Sequence, residues 1–240
     1  MIRRIFRPGK AIPAAGERKS MTTLDTPPLA PLIERLFAEE AALLPRTRAL
    51  FAEIPPDERD RLMRSRTEYR AVYHRLREAP IAVSRETGRL LYLLARAGRA
   101  REVVEFGTSF GLSTLHLAAA LRDNGGGRVI ATEFEPAKAA RARAHFVEGG
   151  VADLVELREG DALDTLSQDL PPRVDLLLLD GAKGLYPDIL ARIEPALPPG
   201  ALVVADNADW SPDYLARVRS GGGYLSLPFG EEVELSVRLG

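Results

Sequence analysis

Hydrophobic positions follow two different periods along the chain. From Leu29 to Pro80 they recur at helical spacing. Leu32, Ile33, Leu36, Phe37, Leu43 and Leu44 mark one face, and Pro45, Pro55 and Pro56 punctuate it. The stretch DERDRLMRSRTEYRAVYHRLREA reads as one charged helix. Leu62, Met63, Tyr69, Val72, Tyr73 and Leu76 form its apolar side, and its Arg/Glu face is solvated. In IAVSRETGRLLYLLARAG, Ser84 predicts an N-cap, and Leu90, Leu91, Leu93 and Leu94 predict the buried stripe.

Beyond that helix the period shortens. The β-rich runs EVVEF, RVIAT, LVELRE, VDLLLL and ALVVA alternate with helices over roughly Leu112–Leu121, Pro136–Glu148, Ala162–Gln168 and Tyr186–Ile193. Such alternation predicts an α/β fold: a mostly parallel sheet with helices on both faces. The last segment, YLSLPFGEEVELSVRLG, holds two strand-like runs around Pro228-Phe229-Gly230 and predicts an antiparallel hairpin at the sheet edge. The expected organisation is a disordered leader over 1–28, a helical cap or dimerisation region over 29–81, and the α/β domain over 82–240. The first 20 residues are basic but lack the apolar core of a secretory signal, and Met21 is an alternative start.

Composition narrows the function. The 240 residues carry a formal net charge of -1, which gives no general attraction to nucleic acid or an anionic membrane. The absence of Cys excludes disulfides, thiolate catalysis and Cys-ligated zinc. No apolar run is long enough to cross a bilayer, so a cytoplasmic location is expected. Only Lys10, Lys19, Lys138 and Lys183 are lysine; the other 29 of the 33 basic residues are arginine.

Acidic residues fall at every strand end: Glu105, Glu133, Asp161, Asp180 and Asp206. Ligands bind at that edge of open α/β sheets, so the expected mouth is anionic and attracts cations. A lone Asp there is usually a cap or turn residue, but five together favour a site. The glycines of EFGTSFGLS allow a sharp turn at Gly107 and close approach at Gly111. Ser109 and Leu112 stand where a nicotinamide fingerprint needs glycine, which argues against a dinucleotide-dependent oxidoreductase. Asp206-Asn207, in VVADNADW, is either a turn or, with Asp180, a set of hard oxygen ligands suited to Mg²⁺.

Together VVEFGTSFGLS, IATEFEP, LREGDA, LLLLDGAKGLY and LVVADNADW resemble the class I S-adenosylmethionine-dependent methyltransferases. Within these the chain looks most like the metal-dependent catechol and caffeoyl-CoA O-methyltransferases, from about Ala82 to the C-terminus. The resemblance implies a Rossmann-like sheet and S-adenosylmethionine as cofactor. It places Val83, Ser84, Glu105 and the turn Gly107, Thr108, Ser109 and Gly111, with Ser113, around the methionine part. Glu133, beside Phe134, would hold the ribose hydroxyls, and Asp161 and Ala162 would border the adenine. Mg²⁺ would sit on Asp180, Asp206 and Asn207, with Asp180 also touching the reacting groups and Lys183 as general base. A lysine kept in an arginine-rich chain fits proton transfer, because arginine effectively does not deprotonate.

The chain departs from the family on the acceptor side. LPFGEEVE is short; Glu231 reads first as an exposed hairpin acid and second as a stand-in for an acceptor-gripping acid, and Trp210 and Tyr186 either pack or wall an aromatic substrate. The N-terminal helices, with Phe37, Tyr69 and Tyr73, either cover the cleft or build a homodimer. The expected partner is a small molecule with vicinal hydroxyls, neither nucleic acid nor membrane. The reading from another class is a non-catalytic protein that binds the cofactor and interacts through these helices.

Overall fold

A computed structural model describes residues 22–79, 81–230 and 232–240. Most of the expected leader, Met21 and Glu231 therefore lie outside the described residues. Seven strands form one sheet: β1 (Glu102–Phe106), β2 (Arg128–Glu133), β3 (Val155–Glu159), β4 (Leu176–Leu179), β5 (Leu202–Asp206), β6 (Tyr224–Phe229) and β7 (Val233–Arg238). Their order is β3-β2-β1-β4-β5-β7-β6. The first five strands pair in parallel, and β7 runs antiparallel to both β5 and β6. The parallel sheet, flanking helices and antiparallel terminal hairpin are those the hydrophobic pattern predicts.

Alternation within the strands builds two cores. Val103, Val129, Ala131, Leu176, Leu178 and Val204 face one side. They meet α1 (Leu29–Ala52), α4 (Arg85–Ala97), α5 (Leu112–Asp123) and α6 (Pro136–Glu148) there. Val104, Ile130, Leu177, Leu179, Val203 and Ala205 face the other, against α8 (Tyr186–Ile193) and α9 (Pro212–Arg219). Both faces being covered explains the nearly unbroken apolar run in β4. The chain order reverses between β1 and β4, where the connections leave in opposite directions and open a crevice at the strand ends.

Several local expectations change. The charged helix is two helices, α2 (Pro56–Met63) and α3 (Tyr69–Arg75). Ser65 Oγ accepts the amides of Thr67 at 3.3 Å and Glu68 at 3.0 Å, a turn that competes with continued helix. Pro45 does not interrupt α1. It and Ala41 are exposed, so the carbonyl freed by the missing N–H faces water. The helix expected to Gln168 is one turn, α7 (Ala162–Thr165). Ser84 caps α4, accepting the Thr87 amide at 3.0 Å. Residues from Thr22 onward are tied to the body: Thr23 donates its amide and hydroxyl to Asp123, which also accepts the Tyr92 hydroxyl at 2.7 Å.

Leu91 is fully buried, whereas Leu93 is 61% exposed, because four leucines in five positions span more arc than one helix face can bury. Leu91→Ala is expected to cost about 2–5 kcal/mol in urea unfolding, and Leu93→Ala less than about 0.5 kcal/mol. Equal losses would contradict this orientation of α4.

Candidate functional site

Each of the five parallel strands delivers an acid to the same edge; three of these acids meet compensating groups of their own, and two share one. Glu105 is wholly buried. It accepts the hydroxyls of Ser113 at 2.5 Å and Thr108 at 3.2 Å, and that of Thr114. Burial raises its pKa to about 7 against those hydrogen bonds, with Asp180 adding to the rise. Glu133 is held by backbone: Ser109 N–H donates to Oε2 at 2.8 Å and Glu135 N–H to Oε1 at 2.9 Å. Asp161 caps α7 through the Leu163 amide at 2.9 Å and accepts from Tyr69 and Arg70. Burial acts to raise its pKa, but these donors bring it below the ordinary value.

The loop after β1 needs its glycines. Gly107 has φ +97°, and a Cβ there would lie 2.6 Å from the Cα of Gly181. Gly111 has φ +89°, and its Cβ would meet the Phe146 ring at 2.5 Å. Between them Ser109 is left-handed without being glycine, at φ 49°.

Beside this loop opens a pocket. It brings together Gly107, Ser109, Glu133, Phe134, Asp161, Ala162 and Asp180 from the predicted residues. Val83, Ser84, Glu105, Thr108, Gly111 and Ser113 lie outside its walls; Ser113 gives its hydroxyl to Glu105 and Ser84 to its helix cap. The roof is α3. Tyr69 and Tyr73 meet Phe134 edge-on with ring centres 6.5 Å apart, and the Tyr73 hydroxyl donates to Gly181 O at 3.3 Å. His74 Nδ1 lies 2.8 Å from Glu135. Of the apolar side read into this stretch, Tyr69 and Tyr73 close the pocket, while Leu62, Val72 and Leu76 pack with Ile54 and Ala79 in a separate cluster. Lys138 and Glu135 also line it and were not singled out as pocket residues. The scarcity of lysine is the sequence clue that points to Lys138.

At one end of the pocket Asp180 and Asp206 converge on Lys183, which is 4% exposed. Its ammonium is 2.9 Å from Asp180 Oδ1 and 3.7 Å from Asp206 Oδ2. Burial acts to lower the Lys183 pKa, but the Tyr186 phenol, Asp180 and Asp206 raise it well above the ordinary value. The Asp206 pKa rises to about 7 through burial and then the Asp180 charge, against Lys183. Two carboxylates thus share one cation. Asn207 follows in a left-handed conformation, φ 47°. Among the described residues no three His, Cys, Asp or Glu side chains are grouped to hold a metal; the oxygen set here is two carboxylates with the Asn207 amide next in sequence. Tyr186 is buried, its hydroxyl donating to Asp206 O at 2.8 Å, so it supports β5 and does not wall an acceptor. Trp210 lies beside Arg64, 6.0 Å from its ring centre.

Residues 104–208 match a family described as a methyltransferase domain. A catechol O-methyltransferase of Niastella koreensis is 35% identical over 130 residues, covering 53% of this chain and 58% of that protein. One of Mycobacterium tuberculosis is 39% identical over 149 residues, 61% of each chain. The chain spans about three fifths of the length of these curated relatives. The O-methyltransferase TomG of Streptomyces achromogenes, solved in complex with SAM, superposes with a TM-score of 0.62 at 28% identity, covering 70% of this chain and 86% of that one. The resemblance read from the sequence, and its Rossmann-like fold, are borne out.

Burial of Glu105 has a stability consequence. Its folded pKa of about 7 stands above the ordinary 4.5, so its folded form binds a proton more tightly than its unfolded form. That contribution is complete below pH 4.5 and lost as pH rises through 7. Relative to Glu105→Gln, the wild type should lose up to about 3 kcal/mol between these limits, read by denaturant unfolding at several pH values. A pH-independent difference would contradict the assignment.

Proposed function

We propose, on the premise that the chain carries a class I O-methyltransferase domain of the catechol and caffeoyl-CoA type, that it methylates a hydroxyl of a small, catechol-like acceptor. Residues 82–240 are the catalytic unit in this reading, and 29–81 its cap. The observation that carries it is the convergence of Asp180 and Asp206 on buried Lys183 at one end of the pocket. S-Adenosylmethionine, when bound, supplies an electrophilic methyl group on its sulfonium. Within the pocket Glu133 accepts the ribose hydroxyls, while Phe134, Asp161 and Ala162 border the base. Val83, Ser84, Glu105, Thr108, Gly111 and Ser113 then serve the methionine part through the shape of the loop and helix starts they support.

The donor chemistry fits a divalent cation such as Mg²⁺. Asp180, Asp206 and Asn207 offer hard oxygens, and the two carboxylates exceed the charge of the single ammonium between them. The cation, when bound there, would lower the pKa of the acceptor hydroxyl. Lys183 receives the hydroxyl proton at Nζ. Its carboxylate neighbours hold it protonated, so it becomes a base only when their charge is otherwise matched; burial then favours its neutral form. Tyr69 and Tyr73 exclude water above the pocket, and alignment of the two reactants within it supplies much of the acceleration. A cytoplasmic location and a homodimer belong to the same reading; no helix among the described residues is long and apolar enough to cross a membrane.

Lys183→Ala tests the base directly. Turnover should fall at least about 100-fold, while calorimetric affinity for S-adenosylhomocysteine stays within about threefold, since Lys183 does not line the cofactor pocket. Unchanged turnover would remove Lys183 from the chemistry. Wild-type cofactor binding without turnover on any acceptor would favour the non-catalytic reading.

A further inference from the structure

The pocket holds a buried lysine that the methyl-transfer chemistry does not use. Lys138, on the first turn of α6, is 4% exposed and donates from Nζ to Ser109 Oγ at 3.2 Å. Ser109 is the left-handed residue of the glycine loop, and its amide donates to Glu133. The contacts lead from Lys138 through Ser109 to the acid at the end of β2. Both Glu133 oxygens are oriented by backbone amides, but amides leave the charge of a buried carboxylate unbalanced. An ammonium buried in the same pocket balances it.

We propose that Lys138 is a positioning residue for the cofactor: its ammonium keeps Glu133 an ionised acceptor for the ribose hydroxyls and, through Ser109, fixes the turn that frames them. This inference rests on the cofactor reading above. Burial raises the Glu133 pKa, and Lys138 opposes that rise, together with the Ser109 and Glu135 amides. Burial likewise lowers the Lys138 pKa, against Glu133, Glu135 and Asp180, with Arg141 adding to the fall. From the roof, His74 contacts Glu135, while Tyr69 and Tyr73 present phenols. Lys138 is the one lysine or arginine among the described residues lining the pocket. Loss of its charge should make Glu133 take up a proton at higher pH than it does in the wild type.

The test compares the wild type, Lys138→Met and Lys138→Arg by calorimetry. The ligands are S-adenosylhomocysteine and its 2′-deoxy analogue, each measured from pH 6 to pH 9. Taking the ratio to wild type cancels titration of Glu105 and Asp206, which all three proteins share. For S-adenosylhomocysteine, the affinity loss in Lys138→Met should grow as pH falls from 9 to 6. The 2′-deoxy analogue should show less of this growth, and Lys138→Arg should restore wild-type behaviour. A loss that is constant with pH and equal for both ligands would reduce Lys138 to packing and overturn the proposal. A wild type that binds neither ligand would instead remove the cofactor reading, and the proposal with it.

Discussion

Five carboxylates at one edge of one sheet are the constraint on which the site depends. Burying like charges together is unfavourable unless each finds its own partner. Glu105 has three hydroxyls, Glu133 two backbone amides, and Asp161 a phenol and a guanidinium from α3. Asp180 and Asp206 differ, because they share the single charge of Lys183. The least balanced point of the edge is therefore the one where the proposed chemistry needs a cation. The strained elements lie close by: Gly107, Ser109 and Asn207 all have positive φ where the chain turns to present these groups.

The N-terminal extension is part of this balance. Through α3 it reaches three separate strand ends: Asp161 after β3, Glu135 after β2 and Gly181 after β4. Its two tyrosines close the pocket against Phe134, and the turn before it packs on the loop that carries Lys183, where a Cβ on Gly184 would lie 2.6 Å from Arg64 O. The helix therefore links strand ends on both sides of the β1–β4 crevice.

Much of this was legible in the sequence because sheet periodicity is local. The β4 run reads as a doubly covered strand, and the acids at strand ends declare the edge that binds. What could not be read depends on tertiary contact. Nothing in EFGTSFGLS says that Ser113 and Thr114 turn inward to satisfy Glu105 and leave the pocket; that follows from where α5 begins relative to β1. The split between α2 and α3 was hidden because Ser65 holds a turn within an otherwise helical composition. Leu93 shows the limit of counting leucines: the stripe was real, but only Leu91 reaches the centre of the core. The part of Lys138 was unreadable without knowing that α6 brings it back to Ser109.

The central claim is that this acidic edge directs a methyl group onto an acceptor oxygen with help from a divalent cation. Its most direct test is transfer of label from radiolabelled S-adenosylmethionine to a panel of catechols and caffeoyl esters, with Mg²⁺ and with EDTA. The account predicts transfer that EDTA abolishes and added Mg²⁺ restores. Transfer indifferent to EDTA would contradict the Asp180–Asp206–Asn207 site, while leaving methyl transfer itself in place.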